Sequence, residues 1–216
     1  MEFDAVVLRR HSTRMFLPDK PVPTELLYEA LTLAMRAPSN SNVQPWRLFL
    51  ASGARRERLG AALAREVRTT PPPSLGLPDS HSHLRRQLGA LLYGAMGVAR
   101  DDDVGRWNAQ LRNWDFFHAP VAGIVCMHRD LGLPDAIGVG MFLQTLLLAL
   151  AERGLDTCVQ VSTALYPQVV REHLDIPEEL TVLCGICIGY GDPAFPANSI
   201  DTPRNPLAEN VHFLED

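Results

Sequence analysis

Ala37-Pro38-Ser39-Asn40-Ser41-Asn42-Val43-Gln44-Pro45-Trp46 joins two segments of different period. Upstream, Leu26, Leu27, Ala30, Leu31, Ala34 and Met35 recur at helical spacing. Downstream, Trp46–Ala51 reads as a strand. Pro38 disfavours helical geometry at Ala37, so the helix, Thr24–Arg36, should end near there. Between helix and strand lies a loop with two serines, two asparagines, a glutamine and no charge. Such a loop suits a flat, neutral heterocycle that carries donors and acceptors on its edge. Composition alone equally allows a plain polar connection between helix and strand.

On the N-terminal side, Arg9-Arg10-His11-Ser12-Thr13-Arg14 closes a first short helix, Phe3–Arg10. Three arginines and two hydroxyls in six residues suit a phosphate, because guanidinium groups grip phosphate oxygens as a fork. Without a further match, a solvated arginine surface is the default. Downstream, a charged helix is expected from about Ala54 to Arg68. Thr69–Ser74 holds three consecutive prolines and is expected to be irregular. His81 to Arg112 is harder to read: Leu84, Leu88, Leu91 and Leu92 suggest a helix that Asp101-Asp102-Asp103 interrupts. A lid or substrate-selecting insertion is expected here, over about 81–115. Pro120–Met127 is almost wholly apolar and should be a central strand. Asp135–Arg153 is the longest helix, apolar nearly all round and stopped by Gly154. Thr157–Val161 and Thr181–Ile188 read as strands, with a helix at Tyr166–Leu174 between them. Gly191–Asp216 is long, and Val211-His212-Phe213 makes its end too apolar for a free tail.

These elements make one α+β or α/β domain over 1–216, with a sheet between helices in three layers. The chain has 216 residues, 46% hydrophobic and 21% charged, enough for one sizeable core. A net charge of −5 argues against a nucleic-acid partner. The start lacks the pattern of a signal peptide, and the longest apolar stretch, about 16 residues, is short of a membrane span. Four cysteines without disulfide-framework spacing fit a reducing cytoplasm.

Several constellations carry no chemistry. Ser39 and Ser41 have no general base nearby in sequence. His81 and His83 lack further metal ligands. Cys184 and Cys187 fall within an apolar strand, where residues three apart face opposite sides, and read as buried small hydrophobes. Gly185, Gly189 and Gly191 do not form a dinucleotide fingerprint ahead of a helix.

Together the segments resemble the nitroreductase family of flavin enzymes. The resemblance rests on Arg9, Arg10, Ser12, Arg14 and Phe16, with His11 interposed, on Pro21-Val22 before the next helix, and on the Ala37–Trp46 loop. It extends to the tail segment Thr202-Pro203-Arg204-Asn205-Pro206, and so over nearly the whole chain. It implies a mainly antiparallel central sheet, a homodimer, and a C-terminal tail exchanged with the partner subunit. It implies FMN as cofactor and NAD(P)H as diffusible hydride donor. Arg10, Ser12 and Arg14, with His11 among them, would hold FMN, and Arg204 would complete its phosphate site. Pro38, Ser39, Asn40 and Asn42 would contact the ring from the partner subunit, with Ser41 toward the substrate. Gln160-Val161-Ser162 would place a backbone N–H at flavin N5. A cation near N1 and O2 raises the reduction potential, and Arg14 suits that place. Arg112 stands where some members carry a lysine. Thr202 replaces a second tail cation of many members, and Val161-Ser162 replaces a Glu-Gly. Trp107, Trp114 and Phe117 are the expected stacking residues for the acceptor.

The expected activity is reduction of nitroaromatic or quinone-like acceptors by a ping-pong, two-electron mechanism centred on the flavin, with no catalytic side chain and no metal. Two alternatives share these residues: the same fold with reductive dehalogenase, ene-reductase or flavin-fragmenting chemistry, and a flavin-holding or regulatory protein without activity.

Overall fold

Strands β1 (Trp46–Ser52), β2 (Val121–His128), β3 (Asp156–Gln160) and β4 (Leu180–Gly189) form one sheet in the order β1-β2-β4-β3. Every neighbouring pair is antiparallel. The computed structural model describes residues 2–73 and 76–215. β2 is buried along all but its last residue, as its apolar run predicts for a central strand. Its alternate residues serve different cores. Ala122, Ile124 and Cys126 face one, and Val121, Val125 and Met127 face the other. β4 changes parity midway. Val125 lies opposite Cys184 and Cys126 opposite Val182, so Leu183 is an extra residue in a β-bulge. The bulge puts Val182 and Cys184 on opposite faces although they are two apart. Cys184 and Cys187 are buried free thiols in opposite cores, as expected.

Helix α1 spans Phe3–Arg9 and α2 Thr24–Ala34. Helix α3 is Gly53–Thr69, α4 Asp79–Ala95 and α5 Asp103–Leu111. Helix α6 is Leu133–Glu152, α7 Pro167–Leu174 and α8 Leu207–Asn210. α2 and α6 pack together over one face of the sheet, through Ala30, Ala34, Phe142, Leu146 and Leu150. α3 and α7 cover the other, through Leu59, Leu63, Val67, Val170 and Leu174. This is the expected three-layer α+β arrangement.

α6 alone, among the described residues, is long and apolar enough to cross a membrane. It instead packs on α2 and buries eight side chains and glycines in this fold. Gly154, at φ +78°, ends it as expected. The hard-to-read stretch resolves into α4 and α5, and Asp102 starts α5 by accepting from the Gly105 N–H at 2.8 Å. Of the stretch expected to be irregular, Thr69 still ends α3, while Thr70–Pro73 lie outside helix and strand. Ser74 lies outside the described residues. The tail is not a strand within one chain. α8 buries no residue, and Phe213 and Leu214 are exposed.

Candidate functional site

The arginine segment lies along the outer edge of β3. Ser12 bridges Thr157 in parallel, and the Thr13 N–H donates to Thr157 O at 2.9 Å. This pins buried Thr13 inward and leaves its neighbours Ser12 and Arg14 half-exposed. Arg9 does something else. Its Nη1 donates to Ala151 O at 2.9 Å, in the last turn of α6, where a cation complements the helix dipole. Arg14 is set twice: its N–H donates to Asn198 Oδ1 at 2.7 Å and its Nη1 to Ser12 O at 3.1 Å. Arg10 makes no side-chain hydrogen bond or ion pair among the described residues, and Arg14 has no acidic partner there. Both guanidiniums lie close enough to Cys158 on β3 to act on its thiol. Burial pushes that thiol up to about 11, against the pull of Arg14 and then Arg10. Two cations without counter-ions on one edge are a ready anion site.

The far end of β3 supplies a second feature. Gln160 is buried at 4% exposure, whereas Val161 is 53% exposed. Gln160 Nε2 donates to Asn113 O and to Ser162 Oγ (3.2 Å), and its Oε1 accepts from the Cys187 thiol at 2.7 Å. Its side chain is therefore structural, and the loop faces outward through its backbone and the exposed Val161. Trp114 Nε1 donates to Ser162 O at 3.2 Å and holds the loop from below. Thr157, opposite Ser12, is three residues from Gln160, or about 10 Å along a strand. A phosphate at the arginines and a ring at the loop, joined by an extended ribityl chain, fit that span.

The loop 38–42 lies elsewhere. It precedes β1, the opposite edge of the sheet, and the order β1-β2-β4-β3 separates the two edges by about 14 Å. One chain therefore does not bring Pro38, Ser39, Asn40, Ser41 and Asn42 to β3. The loop is strongly specified. Ser41, Asn42 and Gln44 have φ of 47°, 56° and 49°, and Ser39 Oγ accepts from the Gln44 N–H at 3.0 Å. Left-handed non-glycine residues cluster in this way where a ligand is clamped. Gly138 on α6 lets the loop sit close, since a Cβ there would meet Ser39 Cβ at 3.1 Å. Asn40, Ser41 and Asn42 are exposed.

The remaining expected cofactor residues are held mostly by their own neighbourhoods. His11 has Nδ1 3.0 Å from Arg9 O and Nε2 3.4 Å from Thr13 Oγ1. Arg112 is half-buried, with Nη1 donating to Met96 Sδ at 3.2 Å and its guanidinium 5.3 Å from the Phe195 ring. Arg204 is exposed and donates only to its own segment, Thr202 O and Pro203 O.

Two of the stacking residues need correction. Trp114 and Phe117 are 3% and 5% exposed and belong to the α3–α7 core, because Phe116–His118 turn the chain inward. They support the loop and the arginine segment and do not meet an acceptor. Trp107 is partly buried beside Trp114, at 6.4 Å between centroids. No sequence signal marked Asn198, Asn113 or Cys187 as holders of Arg14 and Gln160.

The nitroreductase family model matches residues 7–190. The chain belongs to the nitroreductase family. The 4-nitrobenzoate reductase of Nocardioides sp. (strain LMS-CY) is 39% identical over 99% of this chain and 90% of its own. The 4-nitrobenzoate reductase of Pseudomonas putida is 36% identical, over 99% of this chain and 96% of its own. Among solved structures, the FMN- and NADPH-dependent nitroreductase NfnB from Sphigopyxis sp. strain HMH superposes with a TM-score of 0.95 at 32% identity, over 100% of both chains. In this nitroreductase-family chain the arginine segment lies on the β3 edge and the Ala37–Trp46 loop leads into the β1 edge.

Proposed function

We propose that this chain is an FMN-dependent nitroreductase that uses NAD(P)H to reduce nitroaromatic or quinone-like acceptors. The observation that carries the reading is the β3 edge, with Arg10 and Arg14 lacking counter-ions at one end and an exposed loop backbone about 10 Å further on. FMN bound there supplies the redox chemistry, accepting a hydride and passing two electrons to an electron-poor acceptor. The chain's own residues bind and orient. Arg10 and Ser12, with His11 beside them and Arg204 from the tail, hold the phosphate end. Arg14 and Arg112 offer positive charge to the pyrimidine edge, which favours the reduced cofactor. Gln160–Ser162 present backbone N–H toward the ring. No side chain serves as an acid–base catalyst, and no metal takes part.

The second half of the site comes from a partner subunit, with Pro38, Ser39, Asn40 and Asn42 against the ring and Ser41 toward the substrate. Exposed apolar residues support a homodimer: Phe3 and Leu8 on α1, Tyr28 and Leu33 on α2, Leu133 and Ile137 on α6. The β1 edge is free of any further strand among the described residues, and the tail through Val211–Phe213 pairs with it from the partner. α4 and α5 serve as the lid over about 81–115 of a single 1–216 domain, with Trp107 nearest the acceptor. The protein acts in the cytoplasm.

Purified protein should be yellow and release FMN on denaturation. Colourless protein that does not take up added FMN refutes the reading. Donor and acceptor lie flat on the same open face in turn, so double-reciprocal plots should be parallel. Intersecting lines with a demonstrated ternary complex would separate the two sites. NADPH alone should bleach the colour anaerobically, and a nitroarene should restore it.

A further inference from the structure

α3 and the segment from the end of α5 to His118 enclose an open-mouthed cavity of about 500 Å3. It shares only Arg112 with the residues assigned to flavin. Its floor is apolar, formed by Gly60, Ala61, Ala64 and Leu111. Its walls carry Arg56, Arg68 and Arg112 against Glu57 and Asp115, with His118 and Asn108 as further polar groups.

Asp115 is already engaged. Its Oδ1 accepts from Arg56 Nη1 at 2.9 Å, and its Oδ2 lies 2.7 Å from His118 Nδ1. Gly60 makes room for this, because a Cβ there would meet Asp115 Oδ1 at 2.9 Å. Glu57 is the other acid in the lining, and neither Arg68 nor Arg112 has an ion pair among the described residues. Arg68 Nη1 donates to Ala64 O in its own helix, and Arg112 Nη1 to a thioether sulfur. Arg56 Nε is buried without a hydrogen-bond partner among the described residues, which native interiors seldom tolerate. One lining residue, His118, has a left-handed backbone at φ 63°, the last of three such residues after the core residues Phe116 and Phe117. Strain of this kind is concentrated at ligand sites.

We propose that this cavity is a second binding site, for a small aromatic carboxylate. The ring lies on the Ala61–Ala64–Leu111 floor and the carboxylate takes the guanidinium of Arg68, whose fork of donors matches it, while Arg112 only adds positive charge to the wall. An inorganic anion alone leaves the apolar floor uncovered, and a neutral arene leaves the guanidiniums unmatched. The site reports to the flavin, a consequence that rests on the proposed function. Arg112, Asp115 and His118 line the cavity, while the residues between them hold the flavin segments. Asn113 O accepts from Gln160, Trp114 Nε1 donates to Ser162 O, and Phe117 O accepts from the Phe16 N–H at 3.0 Å. An aromatic acid is also the chemical class of the acceptors named for the two curated relatives.

The test is calorimetric titration of the FMN-loaded protein with benzoate, which has no nitro group to reduce. Ala64→Phe fills the floor, and Arg68→Glu reverses charge at an exposed rim position without touching the core. Benzoate should bind the wild type, bind Arg68→Glu at least about tenfold more weakly, roughly the loss of one charge-assisted hydrogen bond, and bind Ala64→Phe more weakly as well. FMN content, which reports the fold, should stay at the wild-type level. Benzamide, the neutral counterpart, should not distinguish wild type from Arg68→Glu. Absence of benzoate binding, or equal benzoate affinity in wild type and Arg68→Glu, overturns the proposal. Should Ala64→Phe misfold, Arg68→Glu decides alone. Failure of the flavin reading shows separately as colourless protein, on which the same titration still tests the cavity.

Discussion

Replacing Gln160 by Met keeps the volume of a buried side chain and removes all of its hydrogen bonds. Asn113 O, Ser162 Oγ and the Cys187 thiol each lose a partner. Cys187 remains protonated at any working pH, because burial, reinforced by Cys158, holds its thiol well above the ordinary value. It therefore becomes an unmatched buried donor, not a new charge. An orphaned buried group costs about 1–3 kcal/mol, and Ser162 can turn toward solvent, so the sum should be about 2–4 kcal/mol. For a chain of this length each kcal/mol lowers Tm by about 2–4 °C, giving a fall of about 4–16 °C by calorimetry. The same change frees Ser162, so turnover should fall more than FMN affinity does. Gln160→Glu separates the two contributions. Ionised, it keeps an acceptor for Cys187 but cannot donate to Asn113. Protonated, it can donate again. Burial raises the carboxyl's pKa, so the defect should shrink as pH falls through it. A Tm and turnover indistinguishable from wild type in Gln160→Met would refute the bridging role of this amide.

Arg14→Ala should weaken FMN binding by about 1.5–3 kcal/mol and lower the flavin's reduction potential, measured by fluorescence titration and dye equilibration; Arg10→Ala should weaken binding similarly and leave the potential unmoved. Gly138→Ala should displace Ser39 by a few tenths of an ångström. Its helix propensity gains about 1 kcal/mol, so FMN affinity should suffer while Tm changes little, and unaltered affinity would free the loop from the cofactor. Burial holds Cys158 and Cys184 at about 11 and Cys126 at about 12, against 9.0 when exposed. The folded chain thus binds more protons above pH 9, so stability should decline as pH rises from about 9 toward 12 and hold below that. Thiol reagents at neutral pH should label the cysteines only after unfolding.

β2 and β4 were legible because apolar residues fill them almost throughout, and α6 because its apolar residues surround it. Arginines so dense within six residues would by themselves read as a solvated surface, and it was the order and spacing of the family motifs that singled them out. The bulge at Leu183 was not, since an extra residue inside an apolar run leaves no mark on composition. Trp114 and Phe117 were misjudged for a related reason. They sit in a segment with Arg112, Asn113 and Asp115, which reads as a surface, and the inward turn at Phe116–His118 uses left-handed residues without glycine. Nor does sequence show that Arg56 and Arg112, 56 positions apart by their numbers, share a wall.

On the proposed function, the two halves of each flavin site come from opposite sheet edges of two subunits, and this has a genetic consequence. A chain damaged at Arg14 and a chain damaged at Asn42 carry faults on different edges. Mixed in one homodimer, they would place both faults in one site and leave the other sound. Two inactive alleles would then complement each other, and equal co-expression would restore roughly a quarter of the sites, half of the dimers being mixed and each mixed dimer having one intact site.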